Sequence, residues 1–194
     1  MNEELTPDMV LHAYCMGVFP MADLDGTLYW YSPDPRCVLE FDRFHASRSL
    51  RQIIRRGVFE IRYNTAFTDV MRCCADRLEG TWISDEIFAV YTDLHHRGFA
   101  HSVESWHDGR LAGGLYGLAI GGVFFGESMF YRVSNASKVA LAALVERLHT
   151  RGFTLLDTQW STPHLERCGA VEIPREEYLE RLDRALGMKC RFVD

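Results

Sequence analysis

The clearest candidates for chemistry stand at the end of an apolar run. In Phe153-Thr154-Leu155-Leu156-Asp157-Thr158-Gln159-Trp160 the pattern predicts a strand, and strand side chains alternate, so Asp157 and Gln159 share one face. An acid and an amide side by side in such surroundings need polar partners, because a polar group is costly to bury unpaired. They form either a structural hydrogen-bonded pair or a reaction site. In a reaction site the amide holds an amine nucleophile and the carboxylate takes or polarises its proton. A second cluster, Phe124-Phe125-Gly126-Glu127-Ser128-Met129-Phe130, places one acid and one hydroxyl in another apolar strand. Glu127 alternates away from Phe124 and Ser128, and Gly126 lets a ligand or backbone approach. A structural pair with Arg132 is the alternative for Glu127.

A third group is basic. A short helix expected from Ser47 to Arg56, closed by Gly57, sets Leu50, Ile53 and Ile54 on one side and Arg48, Arg51 and Arg55 on the other. No carboxylate interrupts the arginines, so the stripe is either a solvated face or a contact for a polyanion. The balance of the whole chain leans the other way. Lys+Arg number 21 against 27 Asp+Glu, for a net charge of -6, so any grip on nucleic acid must be local.

Several chemistries find no support. There is no P-loop, no H-E-x-x-H and no Gly-x-Ser-x-Gly elbow. Gly113-Gly114-Leu115-Tyr116-Gly117 falls within a hairpin strand with no helix after it, so it is not a dinucleotide fingerprint. His95-His96 and His101 read as helix-end and strand residues, and no metal is implied. The six cysteines show no C-x-x-C pair and are expected to be reduced and mostly in the core. Met1-Asn2-Glu3-Glu4 opens acidic, unlike a secretory signal, and no window approaches the roughly 20 apolar residues of a membrane span. A cytoplasmic protein is expected.

With 194 residues, 47% of them hydrophobic, the chain can build a sizeable core that positions these groups. Thr6-Pro7-Asp8 starts a helix, and a turn-rich stretch with several aromatics runs from Phe19 to Arg36. Beyond Gly57 the pattern predicts a strand at 59–64 and helices at 65–75 and 85–97. A meander follows at 101–106, 111–120 and 123–131, then a helix at 135–150, a strand at 153–160, a short element at 164–168, and a last strand with a helix from Pro174. This order is mixed α/β (α+β) rather than an alternating βαβ array, and it suits a GNAT-type acyltransferase domain. The coenzyme A phosphate turn of that type is altered here, with Asn135 and Ser137 where glycines are expected. We divide the chain into a small N-terminal domain, 1–56, and a catalytic domain, 57–194.

An ordered set of runs resembles the bacterial leucyl/phenylalanyl-tRNA–protein transferase family. They are Ala13-Tyr14, Gly17-Val18-Phe19-Pro20, Trp30-Tyr31-Ser32-Pro33-Asp34-Pro35-Arg36, His45, Ser47-Arg48-Ser49 and Gly80-Thr81-Trp82-Ile83. Gly113 to Gly117, Phe125 to Phe130, Asn135-Ala136-Ser137-Lys138 and Asp157-Thr158-Gln159 complete the set. The resemblance implies transfer of Leu or Phe, with Met as a further donor, from aminoacyl-tRNA to the N-terminal Arg or Lys of acceptor proteins, which marks them for N-end rule degradation. No cofactor or metal is implied, because the aminoacyl ester is already activated.

Residue by residue, the resemblance implies catalysis by Asp157 and Gln159. An apolar side-chain pocket falls near Leu115, Phe124, Leu141, Leu144 and Leu148, although the last three also form one helical core stripe. Substrate contacts are implied for Glu127, Ser128, Trp82, Tyr14 and Met21, and tRNA contacts are expected at Arg48, Arg51 and Arg55. Met21 stands where longer members carry Trp beside the tRNA 3′-terminal nucleotide, so a thioether replaces a stacking platform of roughly 1–3 kcal/mol per base. The N-terminal extension of those longer members is not expected here. A GNAT-type N-acetyltransferase and a non-catalytic tRNA-binding module are the alternative functions.

Overall fold

Capping side chains set where most of the helices begin. In the computed structural model, which describes residues 4–23, 25–78 and 80–193, the Thr6 hydroxyl accepts from the Met9 amide and opens α1 (Pro7–Cys15). Ser47 opens α2 (Arg48–Arg55), Ser84 opens α4 (Asp85–His96) and Thr162 opens α6 (Pro163–Arg167) in the same way. The other helices are α3 (Phe67–Ala75), α5 (Ala136–Thr150) and α7 (Arg175–Leu186). Met1-Asn2-Glu3, on which the expectation of no secretory signal rests, lies outside the described residues. None of the described helices is long and apolar enough to cross a membrane.

The strands expected from the sequence are β4 (Glu60–Tyr63), β5 (Ala100–His107), β6 (Arg110–Ile120), β7 (Val123–Tyr131), β8 (Leu155–Gln159) and β9 (Ala170–Ile173). Two more strands, β1 (Phe19–Ala22) and β2 (Leu28–Tyr31), lie in the stretch read as turn-rich, and β3 (Arg36–Leu39) begins where that stretch ends. β1 and β2 pair with each other, and the large sheet runs β4-β5-β6-β7-β8-β3-β9. All its neighbours are antiparallel except β7 with β8. The class is mixed α/β, with the expected meander, helix and strand in order. Residues 36–39, read from sequence as part of the first domain, hydrogen-bond between β8 and β9 inside this sheet. All four are buried, so β3 shows no alternation to mark it as a strand.

Helices cover both faces. On one side α1, α3, α4 and α7 contribute Val10, Tyr14, Val70, Met71, Ile87, Leu94, Tyr178 and Leu182 to a core with Leu118 and Phe125. On the other, Leu141, Leu144 and Leu148 of α5 pack with Leu115, Phe124, Leu156 and Phe192. α2 buries Leu50 against Phe59, Ala112 and Val139, with Ile53 partly covered. Ile54, on the expected apolar side, borders a shallow groove with Phe41, Phe44 and Val145 and stays 41% exposed. Of the cysteines, all free, only Cys37 and Cys74 are fully buried, while Cys15 is exposed. The thiols are therefore less confined to the core than expected.

Two local features open a gap in the sheet. Gly126 stands opposite Gly117 and Ser128 opposite Tyr116, which leaves Glu127 as the extra residue of a β-bulge. Bulges re-aim side chains and bend the strand. The β7–β8 ladder also ends at Phe125 with Asp157, so Glu127 and Gln159 lie beyond the paired region.

A buried ion pair closes the base of this gap. Arg36, 1% exposed, donates from Nε to Asp157 Oδ1 at 3.0 Å and from Nη2 to Oδ2 at 2.7 Å. It also donates from Nη1 to the Gly17 carbonyl at 3.1 Å and lies over the rings of Phe19 and Tyr178. Gly17 must be glycine for this closure. Its φ is +76°, and a Cβ there would fall 2.7 Å from Leu179 Cδ2. Removing one partner of a buried pair strands the other charge, at a cost of about 3–5 kcal/mol. Asp157→Asn is therefore expected to lower the unfolding free energy by that amount in urea denaturation. A loss below about 1 kcal/mol would contradict this role for the pair.

Candidate active site

The gap between β7 and β8 opens into a cavity of about 480 Å³, within the usual range of small-ligand sites. One end is apolar and closed: Leu115, Leu141, Leu144 and Leu156 line it and are each at most 4% exposed. The rim is more open, with half-buried Met21 and Trp82 and exposed Arg77 and Trp160. Between the ends stand Gly126, Glu127, Ser128, Thr158 and Gln159. The expected residues Leu115, Leu141, Leu144, Glu127, Ser128, Gln159, Trp82 and Met21 thus meet in one cavity. Phe124 and Leu148 do not line it. Both are wholly buried and belong to the packing between the sheet and α5, with Phe124 against the Phe192 ring at 5.4 Å.

Glu127 is held from the N-terminal segment. Tyr14 of α1 donates its hydroxyl to Glu127 Oε1 at 2.6 Å, and Tyr91 of α4 donates to Oε2 at 3.4 Å. The two phenols also meet at 2.6 Å. Tyr14 therefore reaches the site through Glu127 rather than by lining the cavity. Gln159 Nε2 donates to the same Oε1 at 3.4 Å. These partners replace the Arg132 pair considered from sequence. Burial pushes the Glu127 carboxyl up to about 8, against the pull of the Tyr14 hydrogen bond. Burial, followed by the nearby Glu127 charge, raises the Tyr14 and Tyr91 hydroxyls well above their usual value, so both remain donors.

Asp157 is placed differently from the sequence expectation. It does not line the cavity, and its side chain is fully buried. Besides the two bonds from Arg36, Oδ2 accepts from Tyr178 Oη at 2.8 Å and Oδ1 accepts from the Gln159 amide at 2.9 Å. Four donors occupy its lone-pair positions, so its oxygens are turned to Arg36, Tyr178 and the backbone rather than to a substrate. Gln159 has φ +59°, a conformation that costs a non-glycine residue of order 1–3 kcal/mol and persists only where its surroundings hold it. The Asp157–amide bond supplies part of that hold. The pair Asp157 and Gln159 is thus divided: Gln159 faces the cavity and Asp157 fixes its backbone.

Arg36, Tyr91 and Arg77 were not singled out from the sequence as site residues. Arg36 carries a legible signal, a cation opening the apolar run Cys37-Val38-Leu39. Tyr91 reads as one of several apolar residues on its helix, and nothing in its spacing marks it. The arginine stripe is solvent-exposed: Arg48, Arg51 and Arg55 all stand out from α2, and none forms an ion pair among the described residues. His95 stacks on Phe67 and His101 on Phe192, both within the packing, as expected. No group of three or more His, Cys, Asp or Glu that could hold a metal occurs among the described residues.

Fold and site together define a transferase-type domain: a mixed sheet parted between two parallel strands, with an apolar slot and titratable, hydrogen-bonding groups at its neck. Residues 38–183 match the family described as leucyl/phenylalanyl-tRNA protein transferase, and residues 3–34 match its N-terminal domain. The chain belongs to the leucyl/phenylalanyl-tRNA protein transferase family. It is 57% identical to the leucyl/phenylalanyl-tRNA–protein transferase of Gloeobacter violaceus, over 97% of both chains. With that of Herpetosiphon aurantiacus it shares 53% identity over 99% of this chain and 100% of the relative. Among solved structures, a GCN5-related N-acetyltransferase-like protein from Streptococcus suis aligns at 15% identity and a TM-score of 0.40, over 86% of this chain and 63% of that one.

Glu127 gives a pH signature. Its carboxyl, ordinarily near 4.5, lies at about 8 in the folded protein, so the folded state binds this proton more tightly than the unfolded state. The resulting stability is complete below about pH 4.5 and is lost as pH rises through about 8. Glu127→Gln is expected to flatten the fall in stability across that window, read as Tm against pH. An unchanged slope would contradict the raised carboxyl.

Proposed function

We propose that the chain moves Leu or Phe, with Met as a third donor, from aminoacyl-tRNA to the N-terminal Arg or Lys of acceptor proteins. This tags them for N-end rule degradation in the cytoplasm, where charged tRNA is available. The observation that carries the reading is a slot closed by buried leucines whose neck is formed by Glu127 and Gln159. A branched or aromatic side chain suits the leucine end, and the ester joining it to ribose then lies at the polar neck.

The reaction forms a bond between the acceptor nitrogen and the ester carbonyl carbon. The carbonyl–oxygen bond to the 3′-terminal ribose breaks, and the nitrogen's proton is passed to that oxygen. No other energy source is required, since the ester is already activated. An α-amino group has a pKa of about 8 and is partly neutral near pH 7, so orientation matters more than base strength. Gln159 orients the amine, and Asp157, itself held by Arg36, positions Gln159. Glu127, with its carboxyl at about 8, is poised to take and return a proton near neutrality. Trp82 and Met21 flank the terminal nucleoside, and Arg48, Arg51 and Arg55 meet phosphates of the tRNA body. In this reading the small N-terminal unit ends ahead of β3, and its α1 supplies Tyr14 to the site.

Incubation with labelled leucyl-tRNA and a peptide beginning with Arg tests the function. Label is expected on the peptide amino group, and its absence would overturn the reading. The same assay tests the slot through Leu115→Trp. Filling apolar space costs a larger side chain more, and each methylene is worth about 1–3 kcal/mol. The ratio of Phe to Leu transfer is expected to fall at least about tenfold, and an unchanged ratio in a folded variant would remove Leu115 from the donor pocket.

A further inference from the structure

Arg77 is a cation at the rim of this cavity with a fixed orientation and no ion-pair partner among the described residues. It follows α3, and its guanidinium is held from two sides. Nε donates to the Cys74 carbonyl at 3.1 Å, and Nη2 donates to Ser128 Oγ at 2.8 Å. Ser128 adjoins the bulged Glu127, so the two bonds fasten an exposed arginine to the neck of the cavity. An arginine carries five N–H donors, and these two bonds leave Nη1 and the second Nη2 hydrogen for another partner. Such a fork matches the paired oxygens of a phosphate.

The exposure gradient of the cavity sets the direction of a bound donor. With its side chain among the buried leucines and its ester at the neck, the nucleoside extends toward the rim, where Arg77 stands with Trp82 and Met21. The first anion beyond the terminal adenosine of any tRNA is the phosphodiester on its 5′ oxygen. In a chain of net charge -6, that anion needs a local cation. The geometry points to Arg77 as the residue that binds the 5′ phosphodiester of the donor's terminal adenosine and so sets the depth to which the aminoacyl ester enters the cavity. This rests on the reading that the cavity takes the aminoacyl nucleoside. Ser128 then acts as a positioning residue for Arg77.

Two minimal donors test the assignment: leucyl-adenosine, and leucyl-adenosine carrying a methyl phosphodiester on its 5′ oxygen. They differ by one phosphate and lack the rest of the tRNA, which separates Arg77 from the stripe on α2. The wild-type protein is expected to use the phosphodiester donor about tenfold better in kcat/KM, the scale of a hydrogen bond to a charged group. That preference should weaken by about 0.7 in log–log slope as salt is raised. In Arg77→Gln the ratio of the two donors is expected to collapse to about one, while Arg77→Lys retains part of it, having charge without the fork. The ratio is taken within one preparation, so partial unfolding of a variant does not move it. A wild-type ratio near one, or an unchanged ratio in Arg77→Gln, would overturn the assignment of Arg77. Wild-type transfer from tRNA but from neither minimal donor, with no competition by either, would overturn the placement of the donor in the cavity and the Arg77 assignment with it.

Discussion

The Arg36–Asp157 pair is the constraint on which the site depends. A guanidinium and a carboxylate removed from water are stable only if hydrogen bonds complete their shells, and here they do. Arg36 bonds the carboxylate twice and the Gly17 carbonyl once, while Tyr178 and the Gln159 amide fill the rest of Asp157. Burial alone would lower the Arg36 pKa, and the Asp157 charge and hydrogen bonds outweigh it, so Arg36 is held above its usual value. One cluster thereby ties the turn after α1, the start of β3, the end of β8 and the face of α7.

That tie explains why the N-terminal segment is part of the site and not an accessory to it. β3 enters the large sheet beside β8, which brings Arg36 under Asp157. The same segment carries α1 against α4 and so delivers Tyr14 to Glu127. The neck is consequently assembled from opposite ends of the chain. Glu127 comes from a bulge in β7, Gln159 from a left-handed residue ending β8, and each is held by a group that α1 or β3 helps to place. In the proposed reaction, rigidity at the neck would serve orientation of the amine and apolarity in the slot the choice of side chain.

Much of this was legible in the sequence. Caps such as Thr6, Ser47 and Ser84 mark helix starts by local chemistry, and strand-forming runs parted by glycine turns mark the meander, although β5 and β6 are buried along most of their length and do not alternate. The polar pairs in apolar strands, Glu127 with Ser128 and Asp157 with Gln159, stood out because burial makes such residues expensive without a partner. Their partners did not stand out. β3 is buried on both faces and four residues long, so its pattern resembles any short apolar run. The different placements of Asp157 and Gln159 arise from the left-handed turn at Gln159, which alternation cannot foresee. Phe124 and Leu148 belong to the same packed layer as Leu115 and Leu144, and of the four only Leu115 and Leu144 line the cavity, a difference that residue type and spacing do not carry.

The central claim is that the buried pair serves to position Gln159 and not only to stabilise the fold. Arg36→Met combined with Asp157→Leu separates the two roles, because replacing both ions with apolar residues can be neutral or stabilising where removal of one is not. The decisive measurement is kcat/KM for transfer from leucyl-tRNA in this double variant, with its unfolding free energy determined alongside. The account expects a stability loss no larger than that of Asp157→Asn, since neutral groups lose a partner but no charge is stranded, and transfer reduced at least about 100-fold, some 2.7 kcal/mol, because no carboxylate remains to hold the Gln159 amide. Near-normal transfer by a stable double variant would contradict it.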